Sequence, residues 1–482
     1  MPDTRTETNL NIDSSPKEWV ERPDQTVGDL PPEPLVSSPT DLIYNLEDKP
    51  PLRETLFAAI QHVLASFIGI ITPSLIIGGA LNLEPVDRAY IISMSLFVSG
   101  IATFIQTKKI GPVGSGLLSI QGTSFAFIGP IIAAGLATQA TGASPAEAMG
   151  IIFGMCFLGS FIEMIFSQFL EIISRVITPL VTGTVVMLIG LTLINAGVLA
   201  MGGGALARQN ETYGSAQNVF LSLLVLFIIV ILISSLNVFL RMGAIAIGLI
   251  VGYIVGLSMG IVDLSRASEM SLFSIPQPFR YGFGFSISAF IPFAFLYVIT
   301  TIESIGDLTA TSVVTGQPIQ GKTYFDRMRG GVLGDGLNSM IAAIFNTFPN
   351  TTFSQNNGVI QLTGIGSRYV GYFIAGIFVL LGLFPIVGGV LQAIPQSVLG
   401  GATILMFGSV AAAGIKIISA IEIGRRETII LATSLGLGLG VTFAPDFLSG
   451  MPPLVQSIFS SGISTGGIAA LVLNICLPGE RR

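Results

Sequence analysis

Glu303 and Asp307 stand four residues apart in TTIESIGDLTATS, so a helix would set both carboxylates on one face. Their setting is apolar: the 482-residue chain is 51% hydrophobic and only 10% charged. An acid in such a run costs about 2.5–3.5 kcal/mol at a bilayer centre and is functional by default. Asp335, in GGVLGDGLNS, and Glu163 are further acids inside apolar runs. A carboxylate removed from water takes up a proton readily, so Glu303, Asp307 and Asp335 are candidates for proton exchange. Each could instead fix helix packing through hydrogen bonds. That plainer role is expected for Glu163, which lies near the end of its run and could snorkel to water.

A second polar group lies in FNTFPNTTFSQNNGVIQLTGIGSR, Phe345 to Arg368, between two apolar segments. Broken, polar backbone at membrane depth is tolerated where it lines a cavity, and interrupted spans of this kind point to a transporter's binding site. Gln355 and Asn356 offer a donor and an acceptor side by side, which matches the alternating N–H and C=O edge of a nucleobase. Glu303 would accept ring N–H groups, and Phe125 could supply an aromatic face. Half-helices starting near Phe125 and Ser354 would aim free backbone N–H groups at ligand oxygens. The ligand expected from these groups is small, planar, uncharged or weakly acidic. Metal chemistry is not expected, because the chain has one histidine, His62, and two cysteines, Cys156 and Cys476, without ligand spacing.

These residues must be held by membrane spans. Apolar runs of about 20 residues recur along the chain. The fold expected is an all-α polytopic membrane protein with fourteen spans, the third and tenth discontinuous with short extended segments. Thr123-Ser124-Phe125-Ala126 echoes Thr351-Thr352-Phe353-Ser354, and Pro179…Gly183…Met187 weakly echoes Pro395…Gly401…Met406. Both echoes are seven spans apart, and an odd number of spans per copy gives inverted repeats, which place substrate near the midplane. The basic residues set the orientation. With a cytoplasmic N-terminus, Lys108, Lys109, Arg175, Arg241, Lys322, Arg327, Arg329, Arg368, Lys416, Arg425, Arg426, Arg481 and Arg482 fall inside, and Arg88, Arg208, Arg266 and Arg280 outside. Residues 1–52, rich in Pro, Ser, Asp and Glu, read as a mostly disordered cytoplasmic tail, with Asp41–Thr55 placed along the membrane surface. No signal peptide is expected, since the start lacks an apolar stretch.

QNNGVIQLTG, Gln355 to Gly364, resembles the signature of the nucleobase–ascorbate transporter family at every fixed position. Gln61–His62, Gly122–Phe125 (GTSF), Glu303–Asp307 (ESIGD) and Gly334–Ser339 (GDGLNS) are similar to family motifs. The likeness runs from about Asp41 onward, with bacterial xanthine and uric acid permeases sharing phrases such as GPVGSGLLSIQGTSF and FNTFPN. It implies proton-coupled purine uptake across the inner membrane by alternating access, usually in a homodimer. It also implies a core domain of residues 53–170 and 281–390 moving against a gate domain of 171–280 and 391–482. By motif position it makes Glu303 and Gln355 the substrate-holding side chains, and the backbone near Phe125 and Ser354 the amide donors. Asp335 resembles the family's essential acid, and Asn356 and His62 resemble residues that shape affinity and the site's surroundings. Gln at the head of the signature is similar to the nucleobase members. Ala126, after Phe125, is expected beside the ligand, where its small side chain would leave room for the 8-oxo group of uric acid; the alternative is that it faces a neighbouring helix and only packs. No cofactor or nucleic acid is implied; the partners expected are the purine, a proton, the lipid bilayer and a second copy of the chain. The alternative is an anion carrier of the sulfate or bicarbonate type on the same architecture, against which Glu303 argues.

Overall fold

The structure is a computed structural model. It describes residues 42–477 apart from 171–177, 210, 238–239, 241–242, 263–272, 274, 320, 354, 385–392, 420, 453–454, 457–458 and 460. Residues 1–41 of the expected tail lie outside the described residues.

Described helices run α1 (Leu52–Ala80), α2 (Pro85–Lys108), α3 (Ile128–Ala140), α4 (Pro145–Phe166), α5 (Pro179–Met201), α6 (Ala216–Ile233) and α7 (Ala244–Ser258). They continue as α8 (Ile287–Val314), α9 (Gly321–Ile344), α10 (Gln355–Thr363), α11 (Arg368–Gly382), α12 (Gln396–Ser419), α13 (Arg425–Phe443) and α14 (Gly462–Cys476). The starts are written locally. Proline occupies the first turn of α2, α4 and α5, where its missing N–H costs nothing. Ser144 and Glu147 form a reciprocal capping box on α4. Among the described residues, seven helices are long and apolar enough to cross a bilayer.

Two short strands break the helical pattern. β1 (Gln121–Thr123) leads through a 3₁₀ turn, Phe125–Phe127, into α3, and β2 (Asn350–Thr352) leads into α10. They pair antiparallel, Gln121 with Thr352, Gly122 with Thr351 and Thr123 with Asn350. The pairing satisfies backbone groups that have no helix and no water to bond. Gly122 permits it. A β-carbon there would overlap the Phe353 ring and lie 2.8 Å from Ile70, and one at Gly69 would lie 2.7 Å from the same ring. The Phe353 ring thus wedges between α1 and β1.

Large apolar clusters flank the strands. One joins α1, α2, α6, α7, α10, α11 and α12; another joins α1 to α5 with α8. Phe125 packs against both.

The segment before α1 is bound to the body. The N–H groups of Ile43 and Tyr44 donate to Gly364 O at 2.7 and 3.1 Å, Gly366 N donates to Tyr44 O at 2.9 Å, and Arg368 N donates to Leu46 O at 3.0 Å. Ser367 Oγ donates to Asp48 O at 2.5 Å, and Leu46 is 3% exposed. Residues 42–48 therefore strap the junction between α10 and α11.

Candidate functional site at the strand crossing

The register sets the site. Because β1 and β2 run antiparallel, the helices that follow them depart in opposite directions from start points separated by about three residues of strand, roughly 10 Å. Ser124 N donates to Pro349 O at 2.8 Å, which pins the start of the Phe125 turn to the other strand. Ser124 gives no side-chain cap to that turn, and its hydroxyl is buried without a partner. The turn's leading N–H groups lack an intrahelical acceptor. Phe125 is half-buried, and its ring meets Phe407 of α12 edge-on at 5.7 Å. Ala126 is 1% exposed within the second apolar cluster.

On the other side, Gln355 is the first residue of α10, and Ser354 lies outside the described residues. The Asn356 amide donates to Leu118 O, so this group ties α10 to the chain entering β1. Its Oδ1 is buried without a partner.

Helix α8 packs against β2, α10 and the Phe125 turn. Asp307 faces this crossing: Thr352 Oγ1 donates to its Oδ2 at 3.2 Å. One turn earlier on the same face, Glu303 has a buried Oε2 without a partner. A turn later, Thr311 Oγ1 donates to Asn357 Oδ1 at 2.8 Å and locks α8 to α10.

Asp335 of α9 is fully buried and differs from Glu303 in its neighbours. It accepts from Ser304 Oγ and from Gln106 Nε2 at 2.5 Å. The same Gln106 amide donates to Gly331 O at 2.7 Å and accepts from Ser115 N at 2.9 Å. Asp335 thereby joins α2, α8 and α9 behind the crossing. His62 of α1 is fully buried with neither ring nitrogen partnered, and α1 packs against β1 and α10.

The structure thus gathers Phe125, Gln355, Asn356, Glu303 and Asp307 at the crossing, places Asp335 behind it, and seats Ala126 in apolar packing. The sequence reading missed several residues. Gln121 and Asn350, on the paired strands, each bury a side chain with neither amide atom partnered. Gln106 and Ser304 hold Asp335. Only their polarity marked them, and uncharged polar residues are common in spans. Among the described residues, no ion pair involves the acids of α4, α8 and α9. Chemically, the crossing offers backbone donors, an open carboxylate acceptor and a ring face, which suits a flat ligand carrying both N–H and C=O groups.

The model of a Permease family, Xan_ur_permease, matches residues 53–447. The chain belongs to this nucleobase–ascorbate transporter family. It is 48% identical over 444 residues to xanthine permease XanP of Escherichia coli (strain K12), covering 92% of this chain and 96% of that one. It is 46% identical over 443 residues to xanthine permease XanQ of the same strain, covering 92% and 95%. The transmembrane domain of the cyanobacterial bicarbonate transporter BicA has the same fold, with a TM-score of 0.59 at 14% identity over 86% of this chain and 100% of that one. Membership of this family and the apolar helices make the chain a multi-pass membrane protein.

Proposed function

We propose that the protein is a proton-coupled importer of a purine nucleobase, xanthine or uric acid, in the inner membrane. The observation that carries this reading is the crossing itself: two helix starts tied by paired strands, facing a buried carboxylate oxygen of Glu303 that has no protein partner. An unpaired buried acceptor invites a ligand N–H, because leaving it empty costs about 1–3 kcal/mol or more. Glu303 and Gln355 hold the purine, the backbone near Phe125 and Ser354 supplies donors to its oxo groups, and Phe125 covers its face. The likeness to XanP and XanQ supports the purine class.

In this reading each helix from α1 to α14 is one span, arranged as seven plus seven inverted copies, with both termini cytoplasmic. Residues 53–170 and 281–390 form a core that moves against a gate of 171–280 and 391–482, in a homodimer. Phe125 on the core side meets Phe407 on the gate side, which supports a site that opens as the two part. Proton and purine load together, so that no unpaired charge crosses at Glu303, Asp307 or Asp335. Uric acid needs room at C8, and Ala126 bears on this through the packing around Phe125 rather than through an exposed face of its own.

The fold likeness to BicA keeps the anion carrier as a second reading, but it speaks for architecture alone. An anion beside Glu303 would meet like charge. Uptake of labelled xanthine by cells lacking their own purine permeases, in competition with uric acid, uracil and sulfate, tests both readings. Competition by purines and not by sulfate is expected; uptake of sulfate in place of xanthine overturns the purine reading.

A further inference from the structure

Glu163 is not where its sequence position suggested. Its place near the end of an apolar run would let it snorkel to water, but it is 1% exposed, and neither carboxylate oxygen has a partner at hydrogen-bond distance. The reason lies in how α4 meets α9. A β-carbon on Gly336 would lie 2.7 Å from Met164 Cγ, 2.9 Å from Met164 N and 3.1 Å from Ser160 O. Glycine at 336 lets the α4 backbone around Glu163 settle onto α9 beside Asp335, and the acid is closed in.

Among the described residues, the titratable groups around it are Asp335 on α9 and Glu303 and Tyr297 on α8. Helix α3, the other helix packed on α4, brings none. The Tyr297 hydroxyl donates to Cys156 O at 2.8 Å and is not aimed at the acid. Glu163 and Asp335 thus form two buried acids in contrasting settings. Asp335 receives an O–H from Ser304 and an N–H from Gln106. Glu163 has no donor at hydrogen-bond distance, although the Thr300 hydroxyl lies beside it. A bare carboxylate there would be an unpaired buried charge beside a second buried acid, which is strongly unfavourable, whereas a carboxylic acid is neutral.

We propose that Glu163 is a proton-exchanging residue of transport, acting beside Asp335. When the site opens to the cytoplasm, Glu163 releases its proton to water; on return it takes one from the external side. This rests on the proton-coupled uptake proposed above.

The test is the rank order of two substitutions, each normalised to protein in the membrane. E163Q copies the neutral acid in size and polarity but cannot exchange a proton. E163D is shorter but can. If Glu163 only packs, glutamine is the better replacement. If it exchanges, aspartate is. For E163Q we expect the steady-state ratio of inside to outside xanthine to fall toward one, against the roughly fiftyfold that one charge moving through 100 mV can support. Exchange of internal for external xanthine should be retained. E163D should keep accumulating. Wild-type accumulation in E163Q, or E163Q outperforming E163D, overturns the proposal. Infrared titration of the purified protein gives a readout that needs no transport and decides the matter should glutamine not be tolerated. The protonated-carboxyl band lost as pH rises should change frequency in E163D, and an unchanged band overturns the proposal. If wild-type uptake ignores collapse of the proton gradient, the coupled-uptake reading falls, and the infrared titration still reads Glu163.

Discussion

Asp335 and Glu303 differ in what surrounds their oxygens, and that difference predicts different mutants. Asp335→Asn keeps shape but offers an amide where Ser304 and Gln106 both present donors. We expect accumulation of xanthine to be lost while some binding to purified protein remains, as isothermal titration would measure. Full accumulation in this variant would remove Asp335 from coupling. Gln355→Glu exchanges a donor for an acceptor at the head of α10, so the ranking of competing purines should change with the protein still in the membrane. Identical competition by every purine would take Gln355 out of the site. Glu303, Asp307 and Asp335 were legible because a charge in an apolar run stands out. Glu163 was legible as an acid and misread in depth, because hydropathy reports the run and not the helix packed against it. The glycine at 336 that lets α4 settle onto α9 is one of 57 in the chain.

At the level of elements, the strand pair depends on close approach at Gly122. Adding a methyl there pushes on the Phe353 ring, which is itself held against Gly69. Overpacking of this kind costs about 1–3 kcal/mol. Gly122→Ala should lower the thermal midpoint of the purified protein and weaken purine binding together, since both helix starts hang on the register; a midpoint shift without a binding loss would separate the strands from the site. The breaks in the third and tenth expected spans were readable from polar residues, glycine and Pro349 in otherwise apolar runs. Their mutual pairing was not, since Gln121 and Thr352 are brought together by the whole fold and carry no complementary pattern.

For the whole molecule, the strap at 42–48 and the exposed ion pair beside it can be weighed against each other. Arg368 and Glu47 approach to 2.6 Å, but the side chains are 30% and 66% exposed, and such pairs contribute about 0–1 kcal/mol. The strap's hydrogen bonds contribute roughly 0.5–1.5 kcal/mol each, and Leu46 adds buried area. Glu47→Ala should therefore leave uptake and thermal stability nearly unchanged, and deletion of 42–48 should lower both. Equal effects of the two would show that the ion pair matters more than the backbone. A protonophore added to cells should abolish uphill xanthine uptake; accumulation that persists and depends on sodium instead would refute proton coupling.

The pairing of β1 with β2 also orders the chain's synthesis in time. When Gln121–Thr123 leaves the ribosome, its partner is about 230 residues away. At roughly 5–20 residues per second, β2 follows some 10–50 s later. Throughout that interval the nascent first half holds an extended, polar stretch that lacks its strand partner, although Gln121 N can already donate to Thr103 Oγ1 of α2; at membrane depth each unmet backbone group costs several kcal/mol. In the fourteen-span reading proposed above, the insertion machinery must therefore shelter β1 and the helix after it, or leave them outside the lipid, until Asn350–Thr352 arrives. Polypeptides stopped before residue 350 should be cleared by membrane quality-control proteases, whereas those reaching past α10 should survive, a threshold that pulse-chase labelling of stepwise truncations would locate.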